Sequence, residues 1–160
     1  LSIGRHIERL SFHAPALSSA LDARVLDDDA GFEALIALFD STITFHAQYQ
    51  RSRDLAALLD LLVLDRDNPR SLAWVLQTLR GRLARLAGCA PGELDPMALR
   101  LPDPSEWRLE ALSRPAEPAT PGALAELLAR CTEAAWRLSE DVGLRYFRHA
   151  TDAGHSLGAP

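Results

Sequence analysis

Lysine is absent from this 160-residue sequence, so that all 17 basic side chains are arginines. The chain therefore lacks the amine of a Schiff base and the lysine that a Walker A loop places on phosphates. If the domain serves a nucleotide-dependent reaction, we expect the catalytic centre to lie on another chain segment. The formal net charge is −5, and this balance lacks the basic footprint of a protein that binds nucleic acid.

Cysteine is scarce and histidine is scattered. Cys89 and Cys131 have neither the spacing of a zinc pair nor the density of a disulfide scaffold, which predicts buried free thiols. His6 and His13 would lie about 10 Å apart along a helix, too far to share one ion directly. We therefore predict no metal site and no cofactor.

Long apolar runs are also missing. No window approaches the roughly 18 uninterrupted apolar residues of a membrane helix, and the first residues lack a signal-peptide pattern. We expect no membrane association and a cytoplasmic location. The sequence begins with Leu1 and runs directly into a helix-like pattern, which we interpret as the start of a fragment.

Apolar residues recur with helical spacing along most of the chain, and 48% of residues are hydrophobic, enough for one domain to bury a core. Asn68 followed by Pro69 predicts a helix N-cap and first position, and Gly88 a helix stop. The predicted helices span 2 to about 26 with a kink at Pro15, 32–49, 55–64 in the centre of the fold, 69–87, and 121 to about 149, with two further turns at 105–112.

Between residues 89 and 120, six prolines exclude a long helix and predict a proline-rich excursion. No stretch shows the alternation of strands. The predicted fold is therefore all-α, an antiparallel bundle of four to five main helices. We place one domain at residues 1–150 and a flexible tail at 151–160.

Two charged clusters carry the functional signal. In the first, Arg5, Glu8 and Arg9 share one face of a helical turn. Either they form a neutralised structural network, the commoner situation, or one guanidinium stays free to grip a carboxylate or phosphate.

The second cluster runs from Asp65 to Ser71, at the junction of the third and fourth predicted helices. Asp65 is unfavourable at a helix C-terminus and needs a donor nearby. Backbone N–H groups of Arg70 and Ser71, beside the Arg70 side chain, predict a small anion site. The alternative is a capped turn tied to the first helix by ion pairs.

These segments, GRHIER at 4–9 and LLVLDRDNPRS at 61–71, resemble the two hallmark segments of the bacterial alpha-E domain, a helical domain with a glutamate-arginine motif. The resemblance is strongest over residues 1–90. Alpha-E proteins usually contain two related helical halves, and the junction at 65–71 is similar in form to that of the second half. We therefore expect this chain to be the C-terminal portion of such a protein.

The resemblance implies association with circularly permuted ATP-grasp enzymes and transglutaminase-like proteins, fused or separate, in systems that make or modify peptides. It points to eight substrate-binding candidates, namely Arg5, Glu8, Arg9, Asp65, Asp67, Asn68, Arg70 and Ser71. We expect an accessory module, non-catalytic by itself, that holds an acidic peptide or an amino acid. The alternatives are an enzyme with Glu8 or Asp65 as general base and Arg70 steadying an anion, or a pure assembly scaffold.

Overall fold

The computed structural model describes residues 2–50, 52–116 and 121–146. Over these ranges the chain is helical with no strand, and the predicted all-α class is confirmed. The antiparallel arrangement stays a prediction. The α-helices are α1 (Ser2–Asp22), α2 (Asp29–Leu38), α3 (Thr42–Tyr49), α4 (Leu55–Leu59), α5 (Leu72–Ala87), α6 (Pro96–Leu99), α7 (Leu109–Leu112) and α8 (Ala123–Tyr146).

Three short turns complete the described elements: 3-10 turns at Val25–Asp27 and Pro104–Glu106, and a π-helical turn at Asp60–Leu64 that directly continues α4. The longest helices form the centre of the packing, with α1 lying against both α8 and α5. Buried apolar side chains from α1, α4, α5 and α8 join in one core.

The first helix ends earlier than the pattern predicts. It continues through Pro15 to Asp22, and Arg24 then adopts a left-handed backbone conformation with φ 54°. Such a conformation cannot extend a right-handed helix. Val25 to Asp27 therefore form a separate 3-10 turn.

The single helix predicted over residues 32–49 is wrong, because the structure divides it into α2 and α3. Asp40 takes a φ of 50°, a conformation that aspartate tolerates better than most residues. The buried Ser41 donates from its hydroxyl to the Phe39 carbonyl at 3.0 Å. The break follows Phe39, whose ring packs on His13 of α1.

The segment from Leu55 to Leu64 is central to the fold, as predicted. Leu58, Leu59, Leu61, Leu62 and Val63 are each no more than 1% exposed. A helix apolar on nearly every side is stable only when other elements surround it.

The start of α5 differs from the prediction by three residues. Ser71 is the N-cap, accepting from the Trp74 N–H at 3.1 Å, and the helix begins at Leu72. Asn68 and Pro69 therefore belong to the preceding turn rather than to the helix. The predicted stop is confirmed, since Gly88 has a left-handed φ of 71° and its N–H bonds the last turn.

The predicted proline-rich excursion contains α6, a 3-10 turn and α7, all short. The predicted end of the last helix, near residue 149, and the predicted tail at 151–160 lie outside the described residues. No helix in the described ranges has the length and apolar character needed to cross a membrane.

Candidate functional site

The turn between the π-helical segment and α5, residues 65–71, is held by its own polar side chains. Asp65 Oδ1 accepts from the N–H groups of Asp67 at 2.9 Å and Asn68 at 3.2 Å. The Ser71 hydroxyl donates to the Asp65 carbonyl. The donor that Asp65 was predicted to need is thus the backbone of its own turn.

Asn68 is the centre of this turn, and its side chain is buried. Its Nδ2 donates to the Leu61 carbonyl at 2.9 Å, and its Oδ1 accepts from the Arg70 N–H at 3.0 Å. Carbonyls near a helix C-terminus have no partner within the helix. Asn68 supplies one for Leu61, which fixes the turn onto the buried segment.

The predicted anion site at the backbone N–H groups of Arg70 and Ser71 is wrong. The Arg70 N–H donates to the Asn68 side chain, and the Ser71 N–H donates to the Asn68 carbonyl at 2.9 Å. Both donors are therefore already engaged by one residue of the turn. Only the Arg70 side chain remains available for a ligand.

Arg9 connects α1 to this turn across 60 residues of sequence. One of its terminal nitrogens, Nη1, donates to the Pro69 carbonyl at 2.9 Å. A guanidinium carries five N–H donors in a planar fork, so the other donors remain free to bind. The contact holds the side chain in one orientation while its outer edge faces solvent.

Arg9 and Arg70 line an open cleft of about 350 Å³, which we call the Arg9–Arg70 cleft. Its walls come from α1, the end of α2 and the turn before α5. The lining residues are Arg9, Phe12, His13, Leu38, Phe39, Asp40, Pro69 and Arg70.

Charge in the cleft is predominantly positive. Among the described residues, no ion pair within 4.0 Å includes Arg9 or Arg70. Asp40 is the one carboxylate in the lining, and it is exposed. Two guanidinium groups with unused donors beside a single carboxylate favour an anionic ligand that also carries a donor group.

His13 forms the buried wall of the cleft, only 2% exposed and packed on Phe39 with 4.3 Å between ring centroids. Burial lowers its pKa to about 3, with Arg9 adding to the decrease and a hydrogen bond to the Leu62 backbone opposing it. The ring is therefore neutral at pH 7. Its buried Nε2 has no partner among the described residues.

The apolar part of the cleft is partly open to solvent. Phe12 is 51% exposed and Leu38 53% exposed, whereas Phe39 beneath them is buried. Large exposed apolar side chains beside convergent polar groups are typical of small-molecule and peptide sites. The cleft thus offers a charged end and an apolar side.

Of the eight candidates predicted from sequence, the structure brings Arg9 and Arg70 together. Asn68 and Ser71 are buried in the turn, and Asp65 bonds its backbone. The other three, Arg5, Glu8 and Asp67, are exposed and do not line the cleft.

Sequence reasoning missed two polar residues of the cleft, His13 and Asp40. His13 follows Arg9 by four residues, so helical spacing places both on one face of α1 and could have indicated it. Nothing comparable marks Asp40, because its position depends on the break between α2 and α3.

The fold and cleft define a helical domain in which the arginine of a Glu-Arg pair, Glu8 and Arg9, reaches a distant turn. Residues 1–147 match the family model Alpha-E, described as "a predicted alpha-helical domain with a conserved ER motif". The chain belongs to the Alpha-E family. No curated protein and no solved structure matches it.

Proposed function

We propose that this Alpha-E domain is a ligand-holding module that binds the carboxylate of an acidic peptide or an amino acid in the Arg9–Arg70 cleft. The observation that carries the proposal is the position of these two guanidinium groups in one cleft, with Arg9 anchored on the Pro69 carbonyl. Guanidinium groups pair with carboxylates through parallel, charge-assisted hydrogen bonds.

The remainder of the cleft suits a peptide or an amino acid better than a simple anion. Asp40 is placed to accept from an amine or amide N–H. Phe12 and Leu38 provide apolar surface beside it. A ligand with a carboxylate, an N–H donor and an aliphatic part therefore meets a complementary group at each point.

The proposed context is amide ligation. The resemblance of the 4–9 and 61–71 segments to alpha-E proteins implies ATP-grasp and transglutaminase-like partners, fused or separate. The complete lack of lysine is consistent with a domain that leaves phosphate transfer to a partner. In this proposal the cleft positions a carboxylate substrate, and the ATP-grasp enzyme activates it.

Binding of short peptides tests the proposal directly. With both peptides acetylated at the N-terminus and amidated at the C-terminus, so that the Glu side chain is the single carboxylate, we expect Ala-Glu-Ala to bind more tightly than the isosteric, uncharged Ala-Gln-Ala in isothermal titration calorimetry. Arg70→Gln should weaken Ala-Glu-Ala by about tenfold, the loss of one charge-assisted pair, and should leave Ala-Gln-Ala unchanged.

Arg5→Gln is the matched control, because it removes the same charge from an exposed position outside the cleft. If Arg5→Gln weakens Ala-Glu-Ala as much as Arg70→Gln does, attraction is diffuse and the cleft is not the site. Equal affinity for the two peptides in the native protein would also contradict the proposal.

A catalytic role with Glu8 or Asp65 as general base has less support. Asp65 Oδ1 accepts two backbone N–H groups, and neither carboxylate lines the cleft. A general base must lie within hydrogen-bond reach of the proton that it removes. Glu8→Gln and Asp65→Asn variants with unchanged ligation rates in the presence of the partner enzyme would exclude this role.

An assembly scaffold is favoured by one observation, the 71% exposure of Trp136 on α8. Large aromatic side chains at the surface are frequent anchors of protein interfaces. Trp136→Ser should then abolish co-purification with the ATP-grasp partner without changing peptide affinity. Retained co-purification would remove this second candidate.

A further inference from the structure

A second group of arginines lies on the outer side of α5. Arg66, from the turn before the helix, and Arg82 and Arg85, from its last turns, line one groove of about 290 Å³. We call it the α5 groove. Its other lining residues are Trp74, Gln77, Thr78 and Gly81, so the lining contains no carboxylate.

Arg82 and Arg85 have no carboxylate in the groove, whereas Arg66 lies near enough to the Asp103 carboxyl to help lower its pKa. None of the three takes part in an ion pair within 4.0 Å over the ranges that the structure describes. Like charges gathered at one place repel each other. An anion in the groove relieves this repulsion.

Arg80, on the same helix, has a structural role and serves as a comparison. Arg80 points to the adjacent loop, where it bonds the Leu101 carbonyl at 3.0 Å and forms an ion pair with Asp103 at 2.9 Å. Arg66 has one such anchor, donating through Nη2 to the Pro104 carbonyl at 3.0 Å. The guanidinium donors of Arg80 are thus bonded to the adjacent loop. Arg66 is anchored by one bond, and its other donors remain free for the groove.

Gly81 forms the open floor of the groove. A Cβ at this position would meet only Arg85 Nη1, at 3.7 Å, an ordinary van der Waals contact. The Arg85 side chain therefore extends one helical turn toward the N-terminus of α5 and lies beside Gly81. Packing against the rest of the protein does not require glycine here, although glycine inside a helix is less stable than alanine. What the missing side chain provides is space beside the guanidinium.

We propose that the α5 groove is a binding site for a diphosphate group. Three guanidinium charges match the charge of a diphosphate, and arginine is the preferred partner of phosphate oxygens. The Thr78 hydroxyl and the Gln77 amide add neutral donors in the same lining. This site is separate from the Arg9–Arg70 cleft, with which it shares no lining residue.

The groove continues past Gly81 into a neighbouring cleft of about 330 Å³ that also contains Leu94, Pro104 and the Arg80–Asp103 ion pair. A diphosphate ester can extend an uncharged portion in that direction, whereas inorganic diphosphate occupies the arginine end alone. The ester and inorganic diphosphate both carry the diphosphate group that the arginines recognise.

The test follows the indole N–H resonance of Trp74 by NMR while inorganic pyrophosphate is added to the protein. We expect a saturable shift, and we expect tricarballylate, a carboxylate of similar charge, to bind at least about tenfold more weakly. ADP that binds more tightly than pyrophosphate assigns an ester as the ligand, and equal binding assigns inorganic diphosphate; either result supports the site. No saturation with pyrophosphate, or equal binding of tricarballylate, overturns the proposal.

Two variants separate the site from general electrostatics. Gly81→Leu fills the floor of the groove, keeps every charge and adds a better helix former, so pyrophosphate affinity should fall by about tenfold while the melting temperature does not fall. Arg24→Gln removes a charge far from the groove, where Arg24 pairs with Asp27, and should leave affinity unchanged. Unchanged affinity in Gly81→Leu, or an equal loss in Arg24→Gln, contradicts a built site.

Discussion

The turn at residues 65–71 and the Arg9–Arg70 cleft share one stretch of sequence, yet they treat their polar groups in opposite ways. In the turn, Asp65, Asn68 and Ser71 bond the backbone around them. In the cleft, the guanidinium groups of Arg9 and Arg70 face solvent and form no ion pair among the described residues. One motif therefore combines a structural clamp with exposed binding groups.

The difference shows which residue types in such a motif carry which role. Short polar side chains can satisfy backbone groups only at close range, so they build the turn. Arginine reaches farther and keeps several donors after making one contact, as Arg9 does at Pro69. Substitutions in the turn should accordingly change stability, and substitutions of the two arginines should change binding.

Asn68→Ala should have the largest effect. It removes the hydrogen bonds to the Leu61 carbonyl and the Arg70 N–H, and leaves a buried carbonyl without a partner. We expect a loss of about 3 kcal/mol in the free energy of unfolding, measured by urea denaturation. Asp67→Ala, an exposed neighbour in the same turn, is the control and should change stability by less than about 0.5 kcal/mol. Similar losses in the two variants would contradict the clamp.

His13 predicts a specific dependence of stability on pH. The folded chain keeps this ring neutral down to a pKa of about 3, whereas the unfolded chain protonates it near 6.5. The associated stability is complete above pH 6.5 and is lost as the pH falls toward 3, because only the unfolded state takes up the proton.

Between pH 7 and pH 5, this group should lower the free energy of unfolding by about 2 kcal/mol. His13→Asn keeps an N–H donor in a comparable position and does not titrate, so its stability should fall less over the same interval. Parallel curves for the native protein and the variant would show that His13 is not held neutral.

Ser71→Ala should have a smaller effect than Asn68→Ala, about 1 to 2 kcal/mol, because it removes the N-cap of α5 and the bond to the Asp65 carbonyl. Thermal unfolding measures the loss. Ser19→Ala, at an exposed position within α1, should be neutral or slightly stabilising. If the two serine variants melt together, Ser71 is not the cap that starts α5.

Arg70→Gln should change stability least, by less than about 0.5 kcal/mol, because the side chain is exposed and the backbone N–H that bonds Asn68 remains. The same variant should lose affinity for Ala-Glu-Ala. A large drop in melting temperature would place Arg70 within the clamp and remove the distinction between the two regions.

The sequence predicts the parts of this fold that depend on local patterns. Helical spacing locates the buried segment from Leu55 to Leu64, and Gly88 marks a helix end because it takes the left-handed conformation that glycine tolerates. The alternative of a capped turn tied to the first helix is right about the connection, since Arg9 reaches the turn, but the contact is to the Pro69 carbonyl and is not an ion pair.

Contacts between distant elements account for what the sequence does not predict. Asn68 looks like a helix cap, but its side chain turns back to the Leu61 carbonyl, and Ser71 takes over the cap. The helix breaks at Asp40, although the apolar pattern of the sequence continues through this position. Because the position of this break is not visible in the sequence, the wall that the end of α2 contributes to the cleft could not be predicted from sequence alone.

NMR of the arginine Nε–H groups, assigned through the single Arg→Gln variants, tests the central claim most directly. When Ala-Glu-Ala is titrated into the native protein, the Nε–H resonances of Arg9 and Arg70 should shift together and saturate at the same peptide concentration, while that of Arg5 stays in place. Equal shifts at all three arginines, or none at Arg9 and Arg70, would contradict a built carboxylate site between α1 and the 65–71 turn.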